Sequence, residues 1–271
     1  MMKTLQKMYW IFRLAFIQRL AYRVNFLLEM VSGIFSSLIV IFLWMAVYRH
    51  SSQEVLGGYS LAEMVTYLLG GGLINSMIMT TAENYETSQN IQDGTLSSLL
   101  LQPISPYWVW LLRDFASKIF FFLLGWMGYL VVFLFFRAYL LRWASWEHLL
   151  LFLTAIALGA MLQFLLFESL SLLAFWLENT YGIRFTARVI LEVAGGAIIP
   201  LSFFPSVLQE ILLRLPFSFI VYLPMRIYLG KIALEAIHLE LMKESIWIAA
   251  LALLNRWLWR RGLRTYSAMG D

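Results

Sequence analysis

The chain has 271 residues, of which 61% are hydrophobic and only 13% are charged, and its mean hydropathy is +0.76. A soluble domain carries about a quarter charged residues, so this composition excludes an ordinary soluble protein. The absence of cysteine excludes a disulfide framework, a thiolate metal site and a cysteine nucleophile. The net charge of +4 comes from basic residues scattered at the ends of apolar runs, which favours orientation in a bilayer over binding of nucleic acid.

Several apolar runs of about 20 residues predict an all-α polytopic membrane protein, because helices satisfy their own backbone hydrogen bonds in lipid. Residues 1–25 predict an N-terminal interfacial helix, although their basic residues do not gather on one face. Residues 26–271 are predicted to form a single six-span transmembrane domain. The predicted spans are residues 26–47, 61–81, 119–136, 149–177, 185–204 and 239–259, of which the last has the least certain boundaries.

The polar segment 83–106 interrupts the apolar runs after the second predicted span and is too polar to lie in lipid. Its first half suits a short helix, which the turn signal Asp93-Gly94 ends. Thr95 is expected to cap a second short helix, which Pro103 and Pro106 terminate. The segment is therefore predicted to form a helical elbow at a membrane face.

The elbow contains the run Gly94-Thr95-Leu96-Ser97-Ser98-Leu99-Leu100-Leu101-Gln102-Pro103-Ile104-Ser105. This run resembles the cytoplasmic loop of the permeases of type-2 ATP-binding-cassette (ABC) exporters, in which a coupling helix docks onto a nucleotide-binding subunit. The alternative is an ordinary capped interfacial helix between two spans. The resemblance implies that the residues coupled to the ATPase are Glu86, Asn90, Gln92, Asp93, Gly94, Thr95, Leu96 and Leu99. This sequence departs from the commonest form of the loop in having Asp93 directly before Gly94, and Gln92 and Ser97 at positions that are often charged.

A second run, Gly195-Gly196-Ala197-Ile198-Ile199-Pro200-Leu201-Ser202-Phe203-Phe204-Pro205, also resembles this family. In the family the fifth span leads into short re-entrant helices that dip into the outer leaflet. The three prolines Pro205, Pro216 and Pro224 divide the chain here whatever the family.

The distribution of Lys and Arg predicts the orientation of the spans. Most of the twenty basic residues lie in segments that face inward if both termini are inside. The chain is therefore predicted to be a multi-pass protein of the cell's inner (plasma) membrane with both termini in the cytoplasm. This orientation places the elbow on the side where an ATPase works.

No catalytic pattern is found in the sequence. It has neither a phosphate-binding loop nor histidines at metal-ligand spacing. The three histidines, His50, His148 and His238, fall in predicted outward loops or at span ends, so an intramembrane serine protease would lack its base. The chain is therefore predicted not to be an enzyme and to hold no cofactor or metal. ATP and Mg²⁺ would be bound by the partner ATPase.

Three polar side chains, Asn75, Gln163 and Glu192, are candidates for a pathway within the membrane. Glu192 either lines a pathway or pairs with Arg188 one helical turn earlier. Gln163 either lines a pathway or bonds a neighbouring helix. A fourth polar residue, Glu168, is expected near the inner headgroups.

The predicted function is that of a permease subunit of an ATP-driven ABC exporter. The resemblance implies a dimer with an identical or sister permease, nucleotide-binding ATPase subunits as partners, and contact with membrane lipid but not with nucleic acid. The substrate is unresolved among lipids, glycans, peptides, drugs and ions. The alternatives are an ion-coupled secondary transporter that needs no ATPase and, third, a membrane-embedded enzyme.

Overall fold

The computed structural model describes residues 2–21, 23–82 and 84–266. Glu83, the first residue of the predicted elbow, lies outside the described residues. Within these ranges the α-helices are α1 (Met2–Ala21), α2 (Arg23–His50), α3 (Leu61–Ile78), α4 (Glu86–Gln92), α5 (Leu96–Leu100), α6 (Pro106–Phe135), α7 (Trp146–Ser171), α8 (Tyr181–Ala194), α9 (Ser206–Arg214), α10 (Tyr222–Tyr228) and α11 (Leu234–Thr265). Short 3-10 helices span Met79–Thr81, Leu172–Phe175, Leu201–Phe203 and Pro216–Phe219. The all-α fold class is therefore confirmed.

The strands of the described residues are a two-residue antiparallel pair, β1 (Val55–Leu56) and β2 (Tyr59–Ser60). The turn between them is Gly57-Gly58, with φ angles of +55° and +83°. Positive φ at both central positions is typical of the type I′ hairpin turn, and glycine reaches these angles without steric cost. The hairpin closes the connection between α2 and α3.

Among the described residues, two helical segments are long and apolar enough to cross a membrane on their own, Val31–His50 and Trp146–Phe175. Two bent helix pairs bring this number to at most four if each pair is one span. One of these pairs is α9 with the segment Pro216–Tyr228, bent by 76°. The helices therefore suit a polytopic membrane protein, and the count of six spans stays a prediction.

Helix α6 contains most of the predicted third span, 119–136, and also the residues between the elbow and that span. It has 30 residues and begins with Pro106 at its first turn, after the extended residue Ser105. Proline suits this position because its fixed φ is helical and it has no N–H to leave unpaired. Helix α6 thus runs from the elbow into the membrane core, with a bend of 40° between Pro106–Leu124 and Met127–Phe135, which form the other bent pair. Helix α1 packs along it through Phe16 and Phe120, whose ring centroids are 5.5 Å apart.

The predicted fifth span, 185–204, is divided in the structure. Helix α8 has 14 residues and ends at Ala194, and Gly196 follows with a φ of +77°. A β-carbon at Gly196 would lie 2.9 Å from the hydroxyl of Tyr67 and 3.0 Å from the β-carbon of Tyr222. The turn at Gly196 therefore needs both the positive φ and the small size of glycine, and it directs the chain back into the core.

The segment that follows this turn forms the centre of the largest apolar cluster. Residues 219–223 and 225 are all buried, and they pack against α3 and α7. Helix α11 packs along α7 on the other side. The 3-10 helix Pro216–Phe219 and α10 are therefore part of the protein core, whereas α9 is mostly exposed.

Loops predicted to lie on the same side of the membrane meet at the same end of the bundle. The elbow, the turn at 176–180 and the last residues of α11 contact one another at the end that we call the elbow end. The β-hairpin, the turn before α7 and residues 200–205 and 229–233 meet at the opposite end. This arrangement is the one that the predicted topology requires.

Candidate functional site

The elbow consists of α4, a turn at Asp93-Gly94 and α5. Gly94 has a φ of +73°, which reverses the chain between the two short helices. The expectation that Thr95 caps α5 was wrong. Its backbone is already helical (φ −67°, ψ −15°), and its hydroxyl instead donates to the Oδ1 atom of Asn90 at 3.1 Å. The hydroxyl therefore closes the turn instead of starting the next helix.

One face of the elbow packs against the ends of the long helices at the elbow end. Ile91 and Leu96 are buried in a cluster with Trp110, Leu172 and Leu258, which come from α6, the 3-10 helix after α7 and α11. Burial of these apolar side chains attaches the elbow to three helices that lie far apart in sequence.

Hydrogen bonds strengthen this attachment at the turn. The hydroxyl of Tyr266, just after α11, donates to the carbonyl of Gly94 at 2.9 Å. The amide of Gln92 donates to the carbonyl of Glu178 at 2.8 Å, in the turn between α7 and α8. The elbow is thus bonded to both neighbouring segments of the elbow end.

Arg184 holds the base of the elbow. Its side chain is 1% exposed, and its guanidinium group donates to the carbonyls of Thr81 at 2.9 Å and Asn84 at 2.5 Å. It also donates to the hydroxyl of Ser171 and lies 4.6 Å from the centre of the Tyr85 ring. The end of a helix leaves carbonyls without partners, and here one arginine binds those at the end of the second predicted span.

A buried ion pair lies beside Arg184. Lys118 and Asp114, one turn apart on α6, pair with each other, and both side chains are almost fully buried. The hydroxyl of Thr81 donates to Asp114 at 2.5 Å and accepts from Lys118 at 2.6 Å. These charges, which the sequence placed at the membrane interface, instead connect α6 to the end of α3 inside the protein.

Two further contacts join α4 to the long helices. Glu86 pairs with Arg113 of α6. The hydroxyl of Thr87 donates to the carboxyl group of Glu168 of α7 at 3.0 Å. Glu168 was expected near the lipid headgroups, but it is buried under α4. Glu168 is buried because α4 packs onto α7. Nothing in the sequence around Glu168 predicts this contact.

The residues predicted to couple to an ATPase divide into two sets. Four of them, Glu86, Gln92, Leu96 and Leu99, face the rest of the chain. Leu96 is fully buried, and the others contact α6, the α7–α8 turn or the apolar cluster. Asp93 and Thr95 are exposed, and Asn90 and Gly94 are partly exposed.

The exposed side of the elbow extends past the predicted set. The exposed residues from its turn to the end of α5 and just beyond are Asp93, Thr95, Ser98, Leu100, Leu101, Gln102 and Pro103, which together we call the docking face. Leu101 is the most prominent of them, with 88% of its surface exposed. The sequence analysis did not include Leu101 among the coupling residues.

The three predicted membrane-interior residues are not brought together at one site. Glu192 pairs with Arg188 at 3.1 Å, which is the structural alternative raised for it, and both side chains are partly exposed. Gln163 is fully buried on α7, and among the described residues neither of its amide atoms has a hydrogen-bond partner. Asn75 is half-buried on α3.

Two charged residues that the sequence analysis did not single out are also deeply buried. They are Arg184 of α8 and Glu244 of α11. No local pattern distinguishes either from an exposed charge, because their burial depends on segments distant in sequence.

Comparison with known proteins gives one family. The profile of the family described as ABC-2 family transporter protein matches residues 34–270. No curated protein matches the chain.

Proposed function

The chain belongs to the ABC-2 transporter family and is a membrane permease component, and from this premise we propose that it serves an ATP-driven exporter whose ATPase is a separate subunit. The observation that carries the proposal is the elbow, which has one face attached to the ends of several long helices and the other exposed. When a protein bound to its exposed face moves, such an element can move with it and displace the long helices to which it is attached.

The contacts between the elbow and the long helices explain how a movement of the elbow would reach the rest of the chain. Arg184, Thr87 and Glu86 connect the elbow to α8, α7 and α6 through buried or partly buried polar contacts. Hydrogen bonds that involve charged groups are stronger and more directional than neutral ones. Movement of the elbow would therefore displace the inner ends of these helices together.

The docking face suits a groove that is apolar at its centre. Leu101 projects from the end of α5 and is flanked by the polar residues Ser98 and Gln102 and by Pro103. A protruding apolar side chain surrounded by polar groups is the usual form of an interface anchor. We assign the matching groove to the ATPase, which would bind ATP and Mg²⁺.

The rest of the proposal follows from the family and from charge. Two permeases, identical or sister subunits, would enclose the translocation pathway. The excess of basic residues in the predicted inward segments supports insertion in the cell's inner membrane with both termini in the cytoplasm. The docking face would then lie in the cytoplasm, where ATP is present.

The experiment is a tagged purification from native membranes in mild detergent. We expect a nucleotide-binding subunit to co-purify with the wild-type chain and to be lost from Leu101→Asp. Val207→Asp is the control, because Val207 is also a largely exposed apolar residue (72%, against 88% for Leu101) and lies on α9, outside the elbow. Purification of a transport-active chain without any ATPase would contradict the proposal and favour a secondary transporter.

A further inference from the structure

Glu244 lies inside the protein at a point where three elements meet. It is 0% exposed and lies on α11, about 15 Å along the helix from Leu234. Its Oε1 atom is 3.5 Å from the position that a β-carbon on Gly159 of α7 would occupy. The carbonyl oxygen of Phe219, in the segment before α10, is 3.3 Å from the same position. The carboxyl group is therefore enclosed by α7, α11 and the segment Pro216–Tyr228, which we call the re-entrant segment.

Among the residues that the structure describes, neither carboxyl oxygen of Glu244 has a hydrogen-bond partner. The same is true of both amide atoms of Gln163, which lies one turn beyond Gly159 on the same face of α7. Two fully buried polar side chains on facing helices thus have unused hydrogen-bonding capacity. Most buried polar groups in proteins are paired, so this pair needs an explanation.

The charged groups nearest to Glu244 are occupied or distant. On α11, Glu240 and Lys243 pair with each other at 2.8 Å. On α7, Glu147 and His148 lie in the first turn, and Glu168 is about 14 Å from Gly159. Arg214, which ends α9, has an exposed side chain. In the part of the chain that the structure describes, Glu244 takes part in none of the salt bridges.

An ionised carboxylate that is buried without a partner is far more costly than the neutral acid. We propose that Glu244 is a proton-binding site, neutral while α7, α11 and the re-entrant segment are closed over it and ionised when they separate. The ligand of this site is the proton itself, held by the carboxyl group of Glu244 while that group is buried. This inference concerns the permease chain alone and does not depend on the identity of the ATPase or the substrate.

The direction of the linkage follows from the two states. The closed state binds the proton, and the open state, in which water reaches the carboxyl group, releases it. A rise in pH therefore favours the open state, and a fall in pH favours the closed state. If α7, α11 and the re-entrant segment separate during transport, the rate of the transport cycle depends on pH.

The protonation state is tested by infrared spectroscopy of the purified chain in lipid nanodiscs. An exposed glutamate is ionised at pH 7, since its pKa is about 4.3. We expect the wild type at pH 7 to show a carboxylic-acid band that is lost in Glu244→Gln, kept in Glu192→Gln and shifted in Glu244→Asp. Absence of the band from the folded wild type would overturn the proposal.

The opening is tested with a single cysteine in place of Ser218, a buried residue next to Phe219. The natural chain has no cysteine, so a water-soluble thiol reagent reports only this position. Labelling rates with Glu244 present are divided by rates in the Glu244→Gln background, which cancels the ionisation of the thiol itself. We expect this ratio to rise with pH by up to about tenfold per unit, since one proton is released. A ratio that stays constant between pH 6 and pH 9 would overturn the linkage.

Discussion

The guanidinium group of Arg184 binds the carbonyl oxygen of Asn84 at 2.5 Å, although the two residues are 100 positions apart in the chain. Asn84 opens the elbow, and Arg184 lies in the first turn of α8. The same guanidinium group binds the carbonyls of Thr81 and Ala82 at the end of the second predicted span. The buried guanidinium group of Arg184 therefore holds the backbone in place where the chain passes from the end of the second predicted span into the elbow.

Replacing Arg184 should destabilise the elbow end. Arg184→Ala leaves several carbonyls without a donor, and we expect a loss of about 3 kcal/mol in the free energy of unfolding. Arg184→Lys keeps the charge but loses the planar fork and should recover less than half of this loss. The measurement is thermal unfolding in detergent, with the exposed Arg260→Ala as control. Full recovery by lysine would show that charge alone matters.

Two leucines of the elbow should separate docking from folding. Leu96 is fully buried, so Leu96→Ala should lower stability by about 2–4 kcal/mol. Leu101 is 88% exposed, so Leu101→Ala should leave stability unchanged and weaken ATPase binding by about tenfold or more. Unfolding and binding are measured on the same purified samples. Equal binding by the wild type and Leu101→Ala would remove Leu101 from the interface.

Gly196 and Gly182 form a matched pair for testing the turn after α8. Gly196→Ala places a β-carbon 2.9 Å from the Tyr67 hydroxyl at a φ of +77°, so we expect a loss of about 2 kcal/mol or more. A β-carbon on Gly182, at the start of α8, meets no atom within 4 Å, and Gly182→Ala should be neutral or stabilise by up to about 1 kcal/mol. Thermal unfolding distinguishes the two, and equal effects would be inconsistent with a strained turn.

Glu192→Gln should have little effect on coupling. Glu192 pairs with Arg188 on the same helix, and both side chains are partly exposed, so the pair contributes about 1 kcal/mol or less. We expect ATP hydrolysis by the reconstituted complex to stay within about twofold of the wild type, a change worth under about 0.5 kcal/mol. A loss of hydrolysis with unchanged stability would return Glu192 to the translocation pathway.

Local sequence was sufficient to predict the general architecture. Apolar runs of membrane length, the polar break at the elbow, Asp93-Gly94 and the prolines that segment residues 195–224 each act over a few neighbouring residues. Their effect on the backbone does not depend on what packs against them. The helical fold, the elbow and the short helices before α11 could therefore be predicted from the sequence.

Only the tertiary structure decided which polar residues are buried and which face of the elbow is free. Arg184, Lys118, Glu168 and Glu244 resemble ordinary interfacial charges in the sequence, and each is buried because a distant segment packs over it. Leu96 and Leu101 are the same residue type in the same short segment, yet one is buried and the other is exposed. Burial depends on the position of α6, α7, α8 and α11 relative to the elbow, and no local pattern contains that information.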